Sequence, residues 1–372
     1  MKPEKTSTQR VVVKVGSQVL CDSHGELNDA VLASLASQVH QLAELGWQTV
    51  LVSSGAVAAG TGVVNAEPGA RKLQQISNPV TRKQALAAAG QIRLMETWRK
   101  HFTSRGLTVA QVLTSRSDFQ TRRHYLNMRA CIESLLECGV VPIVNENDVV
   151  AVTELMFTDN DELAGLLAGL VNANLLCLLS SVAGVFDGPS DQPEARCIPL
   201  WDENRHQLDD IVQRGTSALG RGGMNSKIAV ALKASKLGSA VVIADGRASN
   251  ILLNIVEGAG AGTRFPASGG ASPAKRWLAS ETAVADGSVT VNEGAEAALL
   301  DRKRLTSLLP VGVESVEGAF ESGDVIQIRG MDGRVLGCGR ARYDHSEIKR
   351  LCGQRGHKPL IHYDYLYMSD SI

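Results

Sequence analysis

A lysine set inside an apolar run is the first residue in this chain that could do chemistry. Lys14 follows Val11-Val12-Val13 and leads into Val15-Gly16-Ser17. An ammonium group is expensive to bury unless it meets a negative charge, so such a lysine either reaches water at a sheet edge or faces an anion. The adjacent glycine lets the backbone approach a phosphate closely. Ser53-Ser54-Gly55-Ala56 is a second candidate. Small hydroxyl residues at a helix start serve either as an ordinary N-cap or as a seat for a carboxylate or phosphate.

The densest polar set is Asn145-Glu146-Asn147-Asp148, followed by Asp159-Asn160-Asp161. Carboxylates and amides in this density grip an ammonium group, orient a lysine or hold a magnesium ion. The plainer alternative is a solvated turn and a helix N-capped near Asp159. Because the apolar run Val140–Val144 aims the first cluster at a ligand face, the functional reading is preferred. The fourth candidate is Gly220-Arg221-Gly222-Gly223-Met224-Asn225-Ser226-Lys227. A glycine-rich turn entering a helix offers N–H groups and a positive dipole end to phosphate, and Lys227 adds a point charge. It departs from the P-loop spacing. No Ser/His/Asp arrangement and no G-x-S-x-G elbow is present, so hydrolase chemistry has no support.

The elements that must carry these loops alternate. Strand-like runs at Val11–Val15, Thr49–Val52, Thr108–Leu113, Val140–Val144, Leu175–Leu179 and Ala240–Ala244 are separated by helical patterns. Those patterns lie near Asp29–Leu45, Thr81–Phe102, Arg122–Cys138, Asp161–Leu170 and Ser226–Leu237. Strands separated by long helices predict a three-layer α/β domain with a mostly parallel sheet. All four candidates then fall at carboxyl ends of strands or on the loops beyond them, where open α/β sheets bind ligands. Around Glu257–Pro273 the glycine- and proline-rich composition reads as a linker, unable to hold a helix or central strand. Beyond it, Ser288–Val291, Val325–Arg329 and Val335–Gly339 predict a small β-rich second domain.

Composition narrows the classes. With 372 residues the chain is long enough for about two domains, and its formal net charge of -1 leaves no overall footprint for nucleic acid or anionic membrane. Seven scattered cysteines without a CxxC pair argue against structural zinc and a disulfide framework, and fit reduced thiols in the cytoplasm. The first ten residues are polar and carry no apolar signal region. The uncharged stretch Leu163–Phe186 is interrupted by Asn172, Asn174 and Gly184, and reads as buried helix, turn and buried strand, not as a membrane span.

Taken in order, Lys14-Val-Gly-Ser, Ser53-Ser54-Gly-Ala, Asn145-Glu-Asn-Asp148, Asp159-Asn-Asp161 and Gly222-Gly-Met-Asn-Ser-Lys227 resemble the glutamate 5-kinase family of the amino-acid kinase fold. The resemblance covers nearly the whole chain, and from Lys275-Arg276-Trp277 it extends into a PUA-like module of a kind shared with RNA-modifying enzymes. It implies a catalytic domain over 8–265, a linker over 266–280 and a PUA-like domain over 281–364. It further implies ATP-dependent phosphorylation of the L-glutamate side-chain carboxylate with Mg²⁺, the first step of proline biosynthesis. By position, Lys14 and Lys227 would neutralise the transferring phosphoryl and Asp161 would hold them. Ser54, Asp148, Asn160 and Asn145 would bind glutamate. Lys14, Ser180, Ser181 and the run Arg221, Gly222, Gly223, Met224, Asn225, Ser226 and Lys227 would contact ATP, and no side-chain metal site is expected.

The resemblance also implies feedback inhibition by proline and a homo-oligomer in the cytoplasm. One departure stands out: Ser180-Ser181 occupies the place where the family usually has Thr-Asp, so the carboxylate is missing. Another carboxylate kinase of the same fold is the nearest alternative. An RNA-binding protein acting through the PUA-like domain is the alternative from a different class.

Overall fold

The computed structural model describes residues 8–22, 24, 26–120, 122–150, 159–188, 192, 194–202, 223–268, 287–301 and 306–368. Two compact units divide the chain, Met1–Gly269 and Gly270–Ile372. In the first, the described elements are β1 (Gln9–Val15), α1 (Ser17–Leu20), α2 (Asp29–Glu44), β2 (Trp47–Ser53), α3 (Ala56–Ala66), α4 (Pro79–Thr103), β3 (Val109–Thr114) and α5 (Arg116–Gln120). They continue with α6 (Arg122–Glu137), β4 (Val141–Glu146), α7 (Asn160–Leu170), β5 (Leu175–Ser180), α8 (Met224–Lys236), β6 (Ala240–Asp245), α9 (Ile251–Glu257) and β7 (Thr263–Phe265).

The strands form one sheet in the order β3-β4-β2-β1-β5-β6-β7. Every neighbouring pair is parallel except β6 with β7. The central strands are apolar on both faces, because helices cover both sides of a parallel sheet. Val11, Val12, Val13 and Val15 are all fully buried, as are Leu176, Cys177, Leu178 and Leu179. On one face, Val11, Val13 and Val15 share a core with Leu35 and Leu42 of α2, Trp98 and Phe102 of α4 and Ile251 of α9. Helix α7 packs against β1, β2, β4 and β5 and alongside α8. The chain goes from β1 to β2 on one side and returns at β5 on the other, so the strand order reverses at β1. Such a switch point opens a crevice at the carboxyl ends of the strands.

Two glycines let α3 and α4 cross with their backbones nearly touching. A β-carbon on Gly60 would stand 1.9 Å from the Leu86 carbonyl, and one on Gly90 would stand 1.9 Å from the Ala56 carbonyl. The crossing fixes the start of α3 directly after the Ser53-Ser54-Gly55 turn.

The second unit holds β8 (Gly287–Val291), α10 (Glu293–Leu300), β9 (Val313–Gly318), β10 (Val325–Arg329), β11 (Val335–Arg340), α11 (His345–Leu351) and β12 (Leu366–Met368). Its sheet runs β12-β11-β10-β8-β9 around a core that includes Val289, Ile326, Ile328, Leu336 and Ile361.

Within Leu163–Phe186 the structure has the end of α7, a turn at Asn172 with φ 52° and the strand β5. No helix among the described residues is long and apolar enough to cross a membrane. The compositional linker reading over Glu257–Pro273 begins too early. Thr263–Phe265 pairs with β6, and Phe265 stacks on Trp201 with ring centroids 5.1 Å apart, so the chain up to Phe265 belongs to the first unit. Glycines 258, 260 and 262 at positive φ turn the chain back into that edge strand. Lys275, Arg276 and Trp277, the expected entry to the second unit, lie outside the described residues.

Candidate active site

Three charged side chains from three elements meet in the interior. Asp161, in the first turn of α7, is fully buried; Lys14 of β1 and Lys227 of α8 are 6% and 7% exposed. Lys227 Nζ donates to Asp161 Oδ2 at 2.8 Å. Lys14 Nζ lies 2.8 Å from Oδ1, an ion pair that is not aligned as a hydrogen bond. Burial pushes the Asp161 carboxyl up; the ammonium groups of Lys14 and then Lys227 outweigh it and hold the group below the usual carboxylate range. With two positive charges on one negative, the trio carries a net charge of about +1 in a buried setting, where a further anion is strongly attracted.

The backbone around the trio leaves room for such an anion. A β-carbon on Gly16 would stand 3.6 Å from Lys14 Nζ, so glycine keeps that side of the ammonium open. Helix α8 starts at Gly223, an N-cap with no side chain to occupy the first N–H groups. A helix start of this kind favours phosphate.

Next to the trio runs a chain of amides. The side-chain N–H₂ of Asn160 donates to Ser54 Oγ at 2.9 Å and to Asn145 Oδ1 at 3.0 Å. Asn145 in turn donates to Gln91 Oε1 at 3.0 Å. Ser54 follows β2 and is placed by Gly55, whose φ of 105° an L-residue rarely adopts. Trp98 Nε1 donates to the neighbouring Ser53 Oγ at 2.9 Å and fixes that turn from α4. Asp148 lines a cleft of about 290 Å³ together with Ala56, Gln91, Leu113 and Asn147. Its carboxyl is pushed up by burial, partly offset by the Lys83 ammonium 3.7 Å away.

On the other side of β1, Ser180 ends β5 and Ser181 Oγ donates to Gln18 Oε1 at 2.9 Å. The Arg247 guanidinium donates to the Gln18 carbonyl. Ser181, at the position where the family pattern has a carboxylate, thus makes a neutral hydrogen bond.

The structure therefore brings Lys14, Asp161 and Lys227 together, and separately joins Ser54, Asn145 and Asn160. Gly223, Met224, Asn225 and Ser226 stand at the start of α8. Arg221 and Gly222 lie outside the described residues, as do residues 151–158 between the two acidic clusters. Sequence reasoning did not single out Gln91, Lys83 or the glycines at 60 and 90. Gln91 sits among alanines on α4 with no motif around it; Gly60 and Gly90 could have been read as a close helix crossing. Among the described residues no group of three or more His, Cys, Asp and Glu side chains is gathered to hold a metal ion.

Comparisons with known proteins identify the family. Residues 9–245 match the model of the amino acid kinase family, and residues 287–363 match the PUA domain. The chain is 45% identical over 360 residues to a protein named glutamate 5-kinase from Chlorobaculum tepidum, covering 97% of each chain. A protein of the same name from Bacteroides thetaiotaomicron is 38% identical, with 99% of this chain and 100% of that one covered. A third, from Nitratidesulfovibrio vulgaris, is 43% identical over 94% of this chain and 89% of its own.

Proposed function

The chain belongs to the amino acid kinase family, among the glutamate 5-kinases, and we propose that it transfers the γ-phosphoryl group of ATP to the side-chain carboxylate of L-glutamate. The observation that carries this reading is the buried trio, two lysines on one carboxylate, lying between an uncapped helix start and a cluster of amides. Phosphoryl transfer passes through a loose transition state with charge on the equatorial oxygens, so positioning and electrostatics supply most of the catalysis. Lys14 and Lys227 would bind those oxygens, and Asp161 would hold the two ammonium groups in place. The first-turn N–H groups of α8 would hold the nucleotide phosphates.

A carboxylate oxygen of glutamate attacks the γ-phosphorus, the bond to the bridging oxygen breaks, and ADP leaves. The attacking group is already an anion at neutral pH, so no general base is needed. Asn160, Ser54 and Asn145 would orient glutamate, and Asp148 would pair with its ammonium group. The polar groups here suit a Mg²⁺ that arrives on the nucleotide phosphates and keeps most of its waters, since both Asp161 oxygens already face ammonium groups. When bound, that ion neutralises part of the phosphate charge. Proline, an α-amino acid of similar backbone chemistry, would compete in the same cleft, and the family implies a homo-oligomer.

The test is ADP release from ATP and Mg²⁺ with L-glutamate, N-acetylglutamate or L-aspartate, with and without proline. Turnover restricted to L-glutamate is expected, slowed by proline. Turnover with N-acetylglutamate or L-aspartate instead would assign the chain to another carboxylate kinase.

A further inference from the structure

Asp159, just outside the ion trio, ties together the two helices that build it. Its Oδ1 accepts from the main-chain N–H groups of Asp161 at 2.9 Å and Glu162 at 3.0 Å, capping α7. Its Oδ2 accepts from the Ser226 hydroxyl at 2.6 Å, in the first turn of α8. A helix cap needs only one of these oxygens. The second bond joins α7 to a different helix, beside Lys227, where the nucleotide phosphates are expected. From the capped start of α7, Asn160 reaches Ser54 and Asn145 in the expected glutamate subsite. The polar path is continuous from Ser226 through Asp159 and the first turn of α7 to Asn160.

We propose that Asp159 is a positioning residue that couples the two subsites: nucleotide seated at the start of α8 fixes Ser226, and through Asp159 fixes the Asn160 amide that receives glutamate. This rests on the substrate reading above. By linkage the effect is reciprocal, so glutamate tightens nucleotide binding by the same factor. Couplings of this kind amount to roughly 5- to 150-fold in affinity.

The test is calorimetric titration of L-glutamate into the full chain, with and without a saturating non-hydrolysable ATP analogue and Mg²⁺. For the wild type, the analogue lowers the glutamate Kd by about 5-fold or more. Ser226→Ala removes the hydroxyl and brings the ratio close to one, whereas Ser226→Thr keeps the donor and retains the wild-type ratio. A purely structural role for the contact would change the glutamate Kd equally in both titrations and leave the ratio unchanged. The proposal is overturned by a wild-type ratio near one, or by Ser226→Ala retaining the wild-type ratio. A wild-type chain that binds no glutamate in either titration refutes the substrate reading, and the coupling with it.

Discussion

Replacing Asp161 by asparagine removes the carboxylate shared by two buried lysines while keeping the side chain's shape. In the folded chain Asp161 is fully buried and the ammonium groups lie 2.8 Å from its two oxygens. Breaking a buried pair by removing one partner costs about 3–5 kcal/mol, because the remaining charge is left uncompensated. Here two like charges remain, so the upper half of that range is expected for Asp161→Asn. At roughly 2–4 °C per kcal/mol for a unit of this size, melting falls by about 8–20 °C.

The pH dependence fixes the cause. The folded Asp161 titrates below its ordinary value of 3.8, so its contribution is fully present above that value and is lost as pH falls through the lower folded value. The stability gap between wild type and Asp161→Asn should therefore be flat from neutral pH down to about 5 and narrow below 3.8. Urea unfolding of both proteins across this range measures it, and turnover at pH 7 should fall by about 10²- to 10³-fold as the lysines lose their positions. A gap under about 1 kcal/mol, the range of a surface pair, together with unchanged turnover, would refute the reasoning.

Lys14→Ala and Lys227→Ala should each lower kcat by about 10²- to 10³-fold, the usual loss for one transition-state donor; steady-state assays retaining most of kcat in both would move the phosphate site elsewhere. Asp148→Asn should raise the KM for glutamate by roughly 10- to 150-fold if it meets the substrate ammonium, since a hydrogen bond to a charged group is worth about 1.5–3 kcal/mol. The same substitution should stabilise the free protein at pH 7. The folded carboxyl is raised, so ionising it at neutral pH opposes folding; an unchanged or lowered unfolding midpoint would contradict this. Gly90→Ala places a β-carbon 1.9 Å from the Ala56 carbonyl, so α3 and α4 must separate. Denaturant unfolding should show a loss of about 1–3 kcal/mol or more, and a neutral result would mean that the crossing is looser than described.

The strands, the helices and the polar loops at the strand ends were legible from the sequence because their signals are local. An apolar run such as Leu175–Leu179 can only be a buried segment, and Asn172 and Gly184 mark where it must end. The ordered motifs also single out Lys14, Asp161 and Lys227, as the family resemblance assigns them. What the sequence could not supply was how residues far apart in the chain face each other. That Lys14 and Lys227 take opposite oxygens of one carboxylate depends on how α7 packs over β1 and alongside α8. Gln91 enters the amide chain only because two glycines let α4 lie against α3. The edge strand Thr263–Phe265 was hidden for the same reason. Its glycine-rich approach looks like a linker until Trp201, from a distant loop, supplies the surface that Phe265 covers. Local residue patterns specify elements and loop chemistry; long-range packing decides which of those groups meet, and at what distance.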